Sequence, residues 1–331
     1  VILNCQLKSQ IIELNSINDS IFDKYDVIFI GEQHDISVND SIEALLTSKI
    51  YINGTKVLLE LGYDQNYLLN NFFTKKDTTT VNFLSNKISG SVLSGTLYNF
   101  KITPKAIDIL SKEDFTKELI LEAYSKKEKA VEVINDINEF SKIGMMRPPH
   151  VIKNMNKYDR FLEKFTKNRA LHMKCLGSDS TKVIEYFEAL KAAIEKACDP
   201  NTSEIGFSDF REEFLFKMIK GEIENDSYNK VISINGLAHI YFDKNAQLKR
   251  IKNKNWSPVA CKIKNAFPNK KICSIYLLNI AKNKYFHEDY PEELKYILKN
   301  TEPNKSYIIN LDYNGSPFIN LVNKFTYIVV Y

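Results

Sequence analysis

Two short, wholly apolar runs restrict this chain more than any other feature. Val27-Ile28-Phe29-Ile30 lies between Asp26 and Gly31, and Val57-Leu58-Leu59 lies between Lys56 and Glu60. Runs this short and this rich in branched side chains read as strands buried on both faces. Between them Val38, Ile42, Leu45, Leu46 and Ile50 fall on one stripe of a helix spanning 38–50. Strand, helix and strand within about forty residues form a βαβ unit, which requires parallel strands and a right-handed crossover.

The same reasoning extends along the chain. Val231-Ile232-Ser233-Ile234 is a third buried run, and residues 272–278, 306–311 and 325–330 read as later strands, the last at or near a sheet edge. Ile11, Leu14, Ile17 and Ile21 recur at helical spacing over 6–25. The Ser/Gly content of 85–95 reads as a mobile loop. Helical periodicity dominates from Thr103 to Ala197, interrupted at Gly144-Met145-Met146-Arg147-Pro148-Pro149. A further helix is expected over 209–220, with Asp209 and Glu212 at capping-box spacing. The expected architecture is therefore α/β: a mostly parallel central sheet flanked by helices, with a helical insertion capping a cleft at the carboxyl ends of the strands. Residues 18–331 form one such domain, 100–205 being the inserted cap, behind a leader segment over 1–17.

Composition removes the other classes. No apolar run approaches the ~20 residues that span a bilayer. The 11 glycines and 9 prolines exclude a collagen-like chain. The 45 basic and 41 acidic residues leave a net charge of +4, spread without a basic block. Nucleic acid, which requires a clustered basic face, is not an expected partner, and a small molecule or peptide is the expected substrate.

The opening Val1-Ile2-Leu3-Asn4-Cys5-Gln6 reads as the end of a signal-peptide apolar region with a cysteine behind it. It supports two forms of export: a lipid on Cys5 giving membrane attachment, or cleavage nearby without lipid. An ordinary strand or coil is the third reading. The expected location is extracytoplasmic, in the periplasm or cell envelope. Cys175 with Cys198 and Cys261 with Cys273 suit two local disulfides in that setting. Four buried thiols suit the same spacing.

The chemistry should lie beyond the carboxyl ends of the strands, where open α/β sheets bind their ligands. The first strand runs into Gly31-Glu32-Gln33-His34-Asp35, the second ends in Glu60, and the third runs into Gly236-Leu237-Ala238-His239. Two of the five histidines thus sit three residues after a glycine that closes a strand. Two imidazoles and two carboxylates on one rim can activate a water, by general-base catalysis or through a divalent metal held by His34, Glu60 and His239. Arg211 shares a helical stripe with Leu215 and Met218, so its guanidinium faces the core. There it needs a carboxylate, Glu32 or Glu60, or holds an anionic group or developing oxyanion. His150, His172 and His287 lack strand-end placement and read as structural, although His172 could reach the cleft from the cap.

In this order, the Gly31-Glu32-Gln33-His34-Asp35 motif, the strand ending in Glu60, the helix carrying Arg211 and the Gly236-Leu237-Ala238-His239 motif resemble the erythromycin esterase/ChaN/Tiki superfamily over residues 20–245. The resemblance implies an α/β fold with a helical insertion over a deep cleft. Its esterase branch implies that His34 and Glu60 activate a water, with Glu32, Arg211 and His239 completing the site. Its Tiki branch implies a metal-dependent protease, with manganese, zinc or iron as the metal. Its ChaN branch implies an iron-regulated lipoprotein that binds haem. Asp35 stands where the esterases usually have Gly and is closer to the ChaN form, and Arg211-Glu212 replaces Arg-Asp. The expected function is a hydrolase of esters or amides, with His34, Glu60, Glu32, Arg211 and His239 as its catalytic set. The alternative is a haem- or ligand-binding exported lipoprotein without turnover.

Overall fold

The computed structural model describes residues 11–34, 36–76, 91–108, 155–170, 192, 204–225, 227–243, 257–311 and 317–331. Eight strands form one sheet: β1 (Ile11–Glu13), β2 (Val27–Glu32), β3 (Thr55–Gly62), β4 (Lys105–Asp108), β5 (Lys230–Gly236), β6 (Ile272–Leu278), β7 (Tyr307–Asn310) and β8 (Tyr327–Val330). Their order is β1-β7-β8-β6-β2-β5-β3-β4. The helices are α1 (Asn39–Ile50), α2 (Asn66–Phe73), α3 (Val92–Asn99), α4 (Met155–Lys167), α5 (Glu204–Ile223), α6 (Val259–Ala266), α7 (Lys284–Asp289), α8 (Pro291–Asn300) and α9 (Ile319–Val322). The expected α/β class with a mostly parallel sheet is the class observed. No helix among the described residues is long and apolar enough to cross a membrane.

The chain divides into two compact units, one of Val1–Leu58 with Ile219–Tyr331 and the other of Leu59–Met218. In the first, β2 pairs in parallel with β5 on one side and β6 on the other, in register from Val27 with Val231 and Ile272. All six residues of β2 are buried, which is why its sequence shows no polar alternation. β6 pairs in parallel with β8, and β7 returns antiparallel between β8 and β1. Phe22, Phe29, Phe286, Phe318 and Phe325 are fully buried and fill the core of this unit.

In the second unit α2 supports β4 through one side chain. Asn66 Nδ2 donates to the Ala106 carbonyl at 2.9 Å, and the Ala106 N–H donates to Asn66 Oδ1 at 2.8 Å. One amide thus satisfies both backbone groups of a strand residue, as a neighbouring strand would.

Several expected elements differ. The 6–25 segment is not a helix where described: Ile11–Glu13 pair antiparallel with Ile309–Tyr307, followed by 3₁₀ turns at Leu14–Ser16 and Asp19–Phe22. Strand pairing overrides the helical spacing, and Asn18 ends the run by accepting the Ser20 N–H. Residues 92–95 are not loop but the first turn of α3, capped by Ser91 Oγ, which accepts the Ser94 N–H at 2.9 Å. The block expected to be helical from Thr103 contains a strand, β4; α4 lies in its later part, and the rest falls outside the described residues. The expected start at Asp209 is a mid-helix position, because α5 begins at Glu204. β8 is not an edge strand, because β7 and β1 cover it. Cys261 and Cys273 are buried free thiols, whereas Cys5, Cys175 and Cys198 lie outside the described residues.

Burial raises the pKa of Cys273, Tyr241 and Tyr276, among other groups of the first unit. It is the largest cause at Cys273 and Tyr241, both pushed above the alkaline range, and at Tyr276, pushed well up. Unfolding releases these protons near the groups' ordinary values, so the native state binds more protons than the unfolded state between the two pKa values. Stability is then fully present below the unfolded values and falls as pH rises through that window. Each group contributes a slope of at most about 1.4 kcal/mol per pH unit. Chemical-denaturation midpoints at pH 8, 9.5 and 10.5 should fall steeply between the last two; equal midpoints would contradict the burial of these groups.

Candidate functional site

The first unit places its chemistry where two connections diverge. From β2 the chain passes through α1 to β3, beyond β5; from β5 it passes through α6 to β6, beyond β2. Neighbouring strands thus send their connections in opposite directions. By the right-handed crossover rule α1 and α6 take opposite faces, which opens a crevice at the carboxyl ends of β2 and β5.

Glu32 is the last residue of β2 and pairs with Gly236, the last of β5. His34 lies two residues past the end of β2, and His239 closes a 3₁₀ turn, Leu237–His239, directly after β5. His34 is 45% exposed at its side chain and Glu32 only 9%; His34 Nδ1 lies 3.5 Å from Glu32 Oε1. His239 is buried. Asp35 lies outside the described residues.

The glycine at 31 is explained by space rather than by backbone conformation. A Cβ there would lie 2.2 Å from Ile240 Cδ1 and 2.4 Å from Ile240 Cγ1. Ile240 is fully buried, and its carbonyl accepts the Ser274 hydroxyl at 2.7 Å, so it has nowhere to retreat. The absent side chain at 31 seats Ile240, and Ile240 fixes the turn that carries His239. The glycine of the second motif needs no such argument, because Gly236 has φ −60 and ψ 148, open to any residue.

Two residues here escaped the sequence reading. Asn39, 1% exposed, donates from Nδ2 to Glu32 Oε2 at 3.1 Å and to the Gln33 carbonyl at 2.7 Å. The Tyr331 hydroxyl donates to Asn39 Oδ1. Asn39 would be read from sequence as a helix cap, and Tyr331 follows a strand whose end was not searched. The rule applied to the first three strands would have found Tyr331.

The second unit holds a buried charge cluster. Glu60 lies near the end of β3, Asp108 ends β4, and Arg211 comes from α5. Arg211 donates from Nε to Asp108 Oδ1 at 2.9 Å and from Nη2 to Asp108 Oδ2 at 2.6 Å, a two-pronged grip, and Nη2 also donates to Glu60 Oε1. Both carboxylates are almost fully buried, and Arg211 is 22% exposed at its side chain. Burial alone would lower the Arg211 pKa; the charges of Asp108 and Glu60, the Asp108 hydrogen bond and the Glu212 charge outweigh it and raise the value. The expectation of a carboxylate facing Arg211 is met by Glu60, with Asp108 added. Asp108 was missed because its strand was read as helix.

Among the described residues no group of three or more His, Cys, Asp or Glu side chains is placed to hold a metal ion. Glu60 is engaged by Arg211, and Nδ1 of His34 faces Glu32; His34 and His239 belong to the first unit and Glu60 to the second. His287 Nε2 lies 2.6 Å from the Ile280 carbonyl, in keeping with a structural role. His150 and His172 lie outside the described residues.

No family model matches the chain, and no curated protein matches it. Solved structures do. A protein from Bacillus cereus matches 98% of this chain and 95% of its own length, at TM-score 0.63 and 13% identity. A succinoglycan biosynthesis protein matches 98% and 94%, at TM-score 0.63 and 11% identity. A variant of the erythromycin esterase EreC, in its open conformation, matches 94% and 91%, at TM-score 0.55 and 12% identity. The chain has the erythromycin esterase fold. The likeness at these identities is one of fold, and the activity has to be argued from the side chains.

Two outcomes test the geometry. Gly31→Ala should cost about 1–3 kcal/mol by overpacking, and Ile240→Val in the same chain should recover part of the loss. Additive effects in that double-mutant cycle would contradict the close approach. Arg211→Met should cost about 3–5 kcal/mol, because it leaves two buried carboxylates without their cation; an unchanged thermal midpoint would refute the cluster.

Proposed function

We propose that the chain is a hydrolase of esters or amides in which His34 is the general base and Glu32 holds its ring. The observation that supports this reading is the pairing of an exposed imidazole with a buried carboxylate at the crevice between β2 and β5. With Nδ1 turned to Glu32, Nε2 is the His34 nitrogen that acts on the water in this reading. It takes a proton from a water, the resulting hydroxide adds to the substrate carbonyl, and the same proton passes to the leaving oxygen or nitrogen as the tetrahedral intermediate collapses. His239, on the adjacent strand end, is the candidate donor to the oxyanion.

The 3.5 Å separation is longer than a closed hydrogen bond, and such contacts tighten when substrate displaces water. In this reading Glu32 takes the orienting role. Arg211 and Glu60 are assigned no step, since Arg211 is held by Asp108 and Glu60 within the second unit.

The test is a panel of p-nitrophenyl esters and amides with the wild type, His34→Ala and Glu32→Gln. The wild type should turn over at least one member, and both variants should lose about 10²–10⁴ in kcat with circular dichroism unchanged. Turnover equal in wild type and His34→Ala would reject the assignment. A Soret shift on hemin titration without any turnover would favour the binding-protein alternative.

A further inference from the structure

The groups behind Glu32 form a chain with one direction. The Tyr331 hydroxyl donates to Asn39 Oδ1, Asn39 Nδ2 donates to Glu32 Oε2 at 3.1 Å, and Glu32 Oε1 faces His34 Nδ1 at 3.5 Å. The second Nδ2 proton of Asn39 goes to the Gln33 carbonyl at 2.7 Å. Both Nδ2 protons and Oδ1 of this amide are thus engaged, which fixes its orientation. Rotating the amide by half a turn would set its oxygen against two acceptors, the Glu32 carboxylate and the Gln33 carbonyl.

The topology explains why Tyr331 can reach. It follows β8, which runs parallel to β6, as β6 does to β2, so Tyr331 leaves the same rim as Glu32. Its backbone is held there: its N–H donates to the Leu278 carbonyl at 3.2 Å, and its carbonyl accepts the Ile280 N–H at 3.3 Å. Asn39 is the first residue of α1, on the connection that leaves β2. An Asn at a helix start ordinarily caps its own helix; here no side-chain cap forms at the start of α1, and the Asn39 amide turns to β2 instead.

We propose that Asn39 and Tyr331 are positioning residues that hold the Glu32 carboxylate on His34, and so set which ring nitrogen of His34 carries the proton. A carboxylate with one oxygen anchored by Asn39 presents the other in a fixed place, and an imidazole facing it keeps its proton on Nδ1. A free imidazole prefers the other tautomer, so loosening the anchor returns His34 toward that preference. Tyr331 remains a donor over the neutral range: burial first, then the nearby charges of Glu43 and Glu32, raise its pKa. The inference rests on the hydrolase reading for its catalytic meaning, but its geometry can be measured without any substrate.

The experiment is ¹⁵N NMR of the histidine rings in the intact chain, with His34 assigned by the signals lost in His34→Ala. Wild type should show His34 mainly as the Nδ1–H tautomer. Tyr331→Phe, which removes one oxygen and keeps the ring, and Asn39→Ala should each reduce that population by about half or more, with the other histidines unchanged. Should Asn39→Ala fail to fold, Tyr331→Phe alone decides. Unchanged His34 ring signals in folded Tyr331→Phe would overturn the proposal, whereas a purely structural role would lower the thermal midpoint without moving the tautomer. If the p-nitrophenyl ester panel gives turnover, Tyr331→Phe should lower kcat by about tenfold with KM within about twofold. A tautomer change in a chain that hydrolyses none of the panel would keep the positioning role and reject only the hydrolase.

Discussion

The parallel ladders that β2 makes with β5 and β6 set the terms for the first unit. A strand paired on both sides and buried on both faces has no freedom of register, because a shift of one residue would exchange the side chains between its faces. Glu32 is therefore held at the last rung beside Gly236, and everything beyond it is presented from a rigid support. The loops at that end start from a scaffold that they do not have to stabilise. The seating of Ile240 over Gly31 and the grip of Ser274 on the Ile240 carbonyl extend that rigidity one turn past the end of β5, to His239.

The two units treat buried charge differently. In the second, Arg211 neutralises part of a cluster of acids, and the geometry is that of a tight ion pair with a shared guanidinium nitrogen. Such a cluster holds the ends of β3 and β4 to α5 while contributing little net stability, since desolvation offsets most of the attraction. In the first unit Glu32 has a neutral donor, Asn39, on one oxygen and the His34 ring near the other.

Much of this was legible in the sequence, for identifiable reasons. β2, β3, β5 and β6 were found because burial on both faces produces uninterrupted apolar runs, and Glu32, His34, Glu60 and His239 followed from where those runs stop. β1 and β4 were missed because their placement depends on partners distant in sequence: Ile309–Tyr307 for β1 and the Asn66 amide for Ala106. No periodicity test can register such partners. Asp108 was lost with β4. The role of Asn39 was hidden because an Asn at a helix start has an ordinary local explanation, and only the fold shows its amide directed elsewhere. The approach of Glu32 to His34 was likewise a matter of geometry that residue type and order do not encode.

The thiol of Cys273 sits fully buried in β6, one strand from β2, and burial keeps it protonated. Alkylating reagents attack the thiolate, so this side chain stays silent while the sheet is closed. It becomes reactive only when the strands separate, and then at the rate of an ordinary exposed cysteine. The position is thus a built-in clock: the labelling rate of the peptide containing Cys273, read by mass spectrometry against reagent concentration, reports how often the sheet that carries His34 opens under native conditions.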